Sequence, residues 1–199
     1  MPSFTRFLKK VKAIYTFKKN ATQLGKVNLS FNARCKNNSN NKKQIIIGKN
    51  SKIQGSLFAY NQGIIEIGED FYMGPNSVIG SKEKIVIGNQ VIISNDVTIY
   101  DNNNHPISPK KRYQMSISGS NNEKWEWKYA DSKPIIIEDN VWIGQYSSIL
   151  KGVIIGKGSI IGTRSVVTKD VPEYSIVAGN PAQVVKSIDN DFEETHFEK

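Results

Sequence analysis

The side chain in this sequence best suited to moving a proton is His105, in the run Asp101-Asn102-Asn103-Asn104-His105-Pro106. Imidazole takes up and releases protons near neutral pH, so a histidine held in place is a natural general base. The only other histidine, His196, lies in a polar tail where no site is evident. The asparagines beside His105 either position a substrate or make a turn, and Asp101 either orients the imidazole or caps that turn. On these residues alone, a histidine beside a proline also reads as an ordinary turn residue. Cys35 is the single cysteine, which excludes an intrachain disulfide and a thiolate metal cluster, and its Ala33-Arg34-Cys35-Lys36 setting specifies no nucleophile. One histidine with scattered carboxylates falls short of the ligand density of a metal site, so no metal is expected.

A second set of candidates is aromatic. Trp125, Trp127 and Tyr129 fall between Asp101 and Pro134, a stretch rich in Asn, Lys and Ser. Their rings can stack on the apolar face of a sugar or fill a contact between subunits. A structureless loop this long is unusual, so the stretch reads as an excursion with a task, such as a lid or a subunit contact.

What positions these residues is a repeat. Ile137, Ile143, Ile149, Ile155, Ile161 and Val167 recur every six residues, and Ile67, Met73 and Ile79 keep the same step before an offset of eight leads to Ile87, Ile93 and Ile99. In a helix six residues turn the chain about 600°, short of two full turns, so these side chains would leave any common face. Short strands joined by tight turns return each one to a shared interior, and the glycine after many of them, as at Ile47-Gly48, Ile67-Gly68 and Ile143-Gly144, reads as permission for a close bend. Three steps make a triangular coil, and coils stack about 4.8 Å apart. The expected fold is therefore all-β, a parallel β-helix over residues 25–188 interrupted by the excursion 101–134.

Before it, Phe4, Phe7, Leu8, Val11, Ile14 and Tyr15 have helical spacing among Lys9, Lys10, Lys12, Lys18 and Lys19. They predict an N-terminal amphipathic helix within residues 1–24, packed on the first coil or resting on an anionic membrane. Residues 189–199 form the polar tail. The net charge of +9 favours an anionic partner: nucleic acid, acidic lipid or a phosphorylated cofactor. No recognised module or basic-aromatic groove supports nucleic acid, so none is expected. With no apolar run long enough to span a membrane and no secretory signal, a cytoplasmic location is expected, extending to the inner face of the membrane.

The stretch Val141-Trp142-Ile143-Gly144, continuing from Gly156 to Pro172 and into Tyr174-Ser175-Ile176-Val177-Ala178-Gly179-Asn180-Pro181-Ala182, resembles the hexapeptide-repeat acyltransferases. The likeness is to the maltose, galactoside and polysaccharide O-acetyltransferase group, and covers roughly Ile64 to Ile188. It implies a single-stranded left-handed coil, a hand the repeat cannot establish, and a homotrimer with acetyl-coenzyme A and acceptor sites between adjacent subunits. By the same resemblance His105 matches a catalytic histidine, Trp142 packs along the pantetheine arm, and backbone at Gly144 and Thr163 meets its amides. Thr168 and Lys169 approach the nucleotide, and Lys186 the 3′-phosphate. Asp101, Asn103, Asn104, Trp125 and Trp127 are the candidates for the acceptor. The excursion departs from the shorter loop of simple sugar acetyltransferases, so the expected acceptor is a cell-surface polysaccharide or its precursor. Transfer to an amino sugar or drug amine stays open, as does a noncatalytic β-helical scaffold.

Overall fold

The computed structural model describes residues 2–39 and 41–188; the polar tail with His196 lies outside the described residues. Helix α1 (Pro2–Asn20) leads into a prism of short parallel strands that fall on three faces in strict rotation. Face one ends with Ile85–Ile87 stacked on Ile135–Ile137 and then Ile154–Ile155. Face two runs through Ile92–Ile93, Trp142–Ile143 and Ile160–Ile161, and face three through Thr98–Tyr100, Ser148–Ile149 and Val166–Val167. Strands of two to four residues suffice because each exchanges hydrogen bonds with the coil above and the coil below.

The interior is one column of aliphatic side chains. Ile47, Ile67, Ile87, Ile137 and Ile155 stack on face one, and Ile53, Met73, Ile93, Ile143 and Ile161 on face two, all in a single core cluster. Each buried side chain of this size contributes about 1.5–3 kcal/mol relative to solvent. On face one the register is twenty residues per coil where Ile45 meets Ile65 and Ile65 meets Ile85, after a longer first coil in which Thr22 meets Ile46. It is eighteen in the second half, where Ile137 meets Ile155 and Ile143 meets Ile161. The offset of eight from Ile79 to Ile87 is the wider edge between faces three and one, and the excursion leaves one coil later from that same edge.

The glycines do a different job from the one the sequence suggests. Most bends are made by residues in the left-handed region, among them Asn50, Asp70, Asn76, Asp96 and Asn140, because Asn and Asp tolerate it. The glycines after isoleucine have no such backbone; instead a Cβ at Gly48 would stand 2.3 Å from the Gly68 carbonyl oxygen of the next coil. Absence of a side chain sets the spacing between coils. Gly48→Ala, which forces backbone against backbone, is expected to cost about 1–3 kcal/mol and lower Tm by about 2–4 °C for each kcal/mol, read by thermal denaturation.

Both ends of the prism are closed. Ser175–Gly179 and Ala182–Ser187 form an antiparallel hairpin at the C-terminal end. At the other end α1 covers the first coil, but through Ala13 and Phe17, both buried, and not through the six apolar residues that suggest the packing face in the sequence. The helix ends at Asn20, which donates its side-chain amide to the Cys35 carbonyl at 2.9 Å, and Thr22–Gln23 already pair with Ile46 and Ile47. Cys35 is buried beneath it, and desolvation pushes its thiol up to about 12, which keeps it neutral and unreactive.

Candidate active site

The excursion is a closed loop on a pinched base. At its root Asn103 N–H donates to the Asp131 carbonyl at 3.0 Å, Lys133 N–H donates to the Asp101 carbonyl at 2.9 Å, and Asn102 bridges Ser132. Asp101, expected at the substrate, is fully buried and faces away from solvent. Its carboxylate accepts from Ser81 Oγ at 2.7 Å, from the Lys82 and Glu83 amides at 2.8 Å each, and from Asn102 Nδ2 at 3.1 Å. Those contacts tie the base of the loop to the preceding coil and leave no oxygen for a ligand. Asn104 takes the left-handed turn conformation with φ 60° and donates its N–H to Asn102 Oδ1, so its backbone makes the corner. Asn103 accepts the His105 amide at 2.6 Å. His105 therefore rises from a fixed base with its imidazole exposed, its ring edge-on to Trp125 at 5.7 Å between centroids.

Past His105, Ser108 caps helix α2 (Pro109–Ser116), and two single 3-10 turns, Glu123–Trp125 and Trp127–Tyr129, bring the chain back over face three. Trp127 is bracketed by Tyr60 at 5.9 Å and Tyr100 at 5.5 Å, so much of its surface serves to hold the loop down. Gly80 makes the room: a Cβ there would stand 2.2 Å from the Tyr100 ring and 2.8 Å from that of Trp127. Tyr60 Oη donates to Glu126 at 2.5 Å; burial first and this carboxylate second push the phenol up to about 12. Lys82 Nζ donates to the Lys128 and Ala130 carbonyls, and Lys128 pairs with Glu123 at 2.6 Å, which raises the lysine and lowers the carboxyl. Tyr129 lies near the Lys128 ammonium and stays partly exposed.

Between loop and prism lies a cavity of about 530 Å³, walled by Phe58, Tyr60, Tyr100, Trp125 and Trp127, with Lys36 and Asn122 among its polar groups. Aromatic planes with a few amide and ammonium donors suit a sugar ring, which has apolar faces and a hydroxyl rim. Tyr60 and Tyr100 were not candidates from sequence. Their signal lay in the coil register, which aligns Phe58, Gly80 and Tyr100 across three coils, with the smallest residue between two aromatic ones.

A second hollow, about 620 Å³, runs along the edge between faces two and three. It brings together Trp142, Gly144 and Thr163 with Tyr72, Ser94 and Gln145. Trp142 is 49% exposed, with Nε1 donating to Ser94 Oγ at 3.2 Å, so one broad indole surface is held open to a ligand. The Gly144 amide is already given to the Ile161 carbonyl at 2.8 Å, which leaves its carbonyl for a ligand, and Thr163 Oγ1 donates to the Gln145 carbonyl at 2.7 Å. Thr168 and Lys169 stand apart from this groove, exposed after Val166–Val167 on the edge that carries His105. Lys186 is on the closing hairpin, opposite Ile176. Among the described residues no group of three or more His, Cys, Asp or Glu could hold a metal ion.

Residues 134–169 match the family profile described as bacterial transferase hexapeptide, six repeats. Galactoside O-acetyltransferase of Escherichia coli is 33% identical over 153 residues, 77% of this chain and 68% of that protein. The chain belongs to the hexapeptide-repeat acyltransferase family. A Saccharomyces cerevisiae relative, described as an acetyltransferase, is 40% identical over 68% of this chain, and the match spans 62% of that relative, a little under two thirds of its length. A solved galactoside acetyltransferase in complex with coenzyme A superposes with a TM-score of 0.61 at 26% identity, covering 96% of this chain and 84% of the other.

Proposed function

We propose that the protein transfers an acetyl group from acetyl-coenzyme A to a hydroxyl of a saccharide, a cell-surface polysaccharide or its precursor, with His105 as general base. The observation that carries this reading is an open groove holding Trp142, Gly144 and Thr163 together with one rigidly based imidazole beside an aromatic cavity. The Escherichia coli relative is a galactoside O-acetyltransferase, and the solved galactoside acetyltransferase carries coenzyme A, which supports both the donor and a sugar acceptor. In this reading the Trp142 ring packs on the pantetheine arm and the Gly144 carbonyl accepts one of its amides. Thr168 and Lys169, which share the edge of His105, meet the nucleotide end from the neighbouring copy, and Lys186 adds a charge-assisted contact to phosphate. The saccharide stacks on Trp125, with Trp127 as a wall of the same cavity.

The chemistry needs no covalent intermediate. As the acceptor oxygen bonds to the thioester carbonyl carbon, His105 takes its proton. When the carbon–sulfur bond breaks, the departing thiolate takes that proton and the imidazole returns to its starting state. His105 and the groove stand on different edges of one prism. The active site is therefore read as shared in a homotrimer, the His105 of one copy facing the groove of its neighbour.

Assays with acetyl-coenzyme A and parallel panels of hydroxyl and amino acceptors test the reaction: ester formation is expected, and product solely on nitrogen would replace it with amine transfer. A folded protein that gives no saturable coenzyme A signal in calorimetry would be a scaffold. Sharing between copies has its own readout. His105→Ala chains refolded or co-expressed with Trp142→Ala chains should recover part of the activity that each lacks alone, and no recovery would mean that each copy holds a whole site.

A further inference from the structure

Helix α1 has two apolar faces, and the fold uses the smaller one. At about 100° per residue, Phe4, Phe7, Leu8, Val11, Ile14 and Tyr15 fall within an arc of about 120°, on the far side of the helix from the buried Ala13 and Phe17. Phe4 is 66% exposed, Phe7 61% and Tyr15 63%, although a helix whose only task was to cap the coil would turn such residues inward. The same helix holds Arg6, Lys9, Lys10, Lys12, Lys18 and Lys19 and no acidic residue, so most of the excess charge of the chain is gathered there.

Two hollows flank the helix, and both are basic. One, about 480 Å³, is lined by Lys9, Lys12, Arg34 and Lys36; the other, about 400 Å³, by Lys10, Lys18 and Lys26. An apolar stripe with Lys12 and Lys19 along one border and Lys18 within its last turn is the pattern of a helix lying in the interface of an anionic bilayer: rings and aliphatic chains enter the acyl boundary while lysine stems reach out to phosphate groups. No helix among the described residues is long and apolar enough to cross a membrane, so the geometry is that of a helix resting in the surface.

We propose that the outer face of α1 docks the protein on anionic lipid. A second copy of the helix is a poor occupant, because stacking the two stripes would bring Lys12, Lys18 and Lys19 of one helix near those of the other with no carboxylate on either helix. The proposal is independent of the acyl-transfer reading. It also gives the exposed stripe a task on the side of the helix that the coil leaves free.

The test is co-sedimentation of the full chain with vesicles of phosphatidylcholine, with and without phosphatidylglycerol. Binding is expected to the mixed vesicles, about tenfold or more above neutral ones, and to fall as salt is raised. Phe7→Ser/Val11→Ser, which removes two side chains directed away from the coil, should lower binding about tenfold while Tm and acyl transfer stay as in the parent. Lys12→Glu/Lys19→Glu should abolish the preference for anionic vesicles. No binding to mixed vesicles overturns the proposal. So does unchanged binding by Phe7→Ser/Val11→Ser, which would leave a purely ionic contact, or a smaller oligomer of that variant in light scattering, which would make the stripe a contact between copies.

Discussion

His105→Ala is expected to lower acetyl transfer by about 10²–10⁴-fold while coenzyme A affinity and Tm stay close to the parent. The size follows from the one proton that must leave the acceptor hydroxyl as its oxygen attacks; without a positioned base, water must take it. The selectivity follows from the surroundings of the residue. Its imidazole is exposed and its recorded contact is the edge of Trp125, so truncation opens no cavity and orphans no buried polar group. Its backbone amide, which does bind Asn103, survives in alanine. Steady-state rates with titration calorimetry on the same preparation check it. Retention of parental turnover by a folded His105→Ala protein would remove the general-base role.

Asp101→Ala should do the reverse, with the first effect on the fold. Four donors converge on that buried carboxylate: Ser81 Oγ, the amides of Lys82 and Glu83, and Asn102 Nδ2. A buried donor left without a partner costs about 1–3 kcal/mol, so losing this acceptor is expected to cost about 3 kcal/mol or more and lower Tm by about 6–12 °C. Activity should fall with it, since the same residue pins the root of the loop that holds His105. Asp101→Asn, which keeps one carbonyl oxygen, should lie between. Thermal denaturation and kinetics on the three proteins decide the matter. A raised KM at unchanged Tm would instead return Asp101 to the acceptor site, where its place beside His105 in the sequence first suggests it belongs.

Asp101 shows why a site is harder to read than a coil. Its side chain is polar and next to a candidate base, and nothing local says whether its carboxylate turns toward a ligand or toward the preceding coil, nearly twenty residues back. Trp127 is similar: a tryptophan in a polar loop suggests stacking on a sugar, yet Tyr60 and Tyr100 occupy much of its ring. The isoleucine–glycine pairs fail in a third way. Their residue types point to the right architecture, but the reason lies in Gly68 pressed against Gly48 across twenty residues, a contact that no window of sequence contains.

The sequence by itself determined the coil. A six-residue return of aliphatic side chains admits one economical solution, because only strands that turn at that interval bury Ile143, Ile149, Ile155 and Ile161 in one dry column. The family resemblance, and not the repeat, singled out Trp142, Gly144 and Thr163, which the structure gathers along one groove. The tertiary structure alone decided what depends on direction: which way Asp101 faces, which ring clamps Trp127, that Thr168 and Lys169 stand on the edge of His105 and away from the groove, and that α1 keeps its aromatic stripe outside. These are outcomes of packing between segments far apart in the chain. A local pattern records which side chains prefer to leave water, and the partner each one finds is set by the coils that arrive beside it.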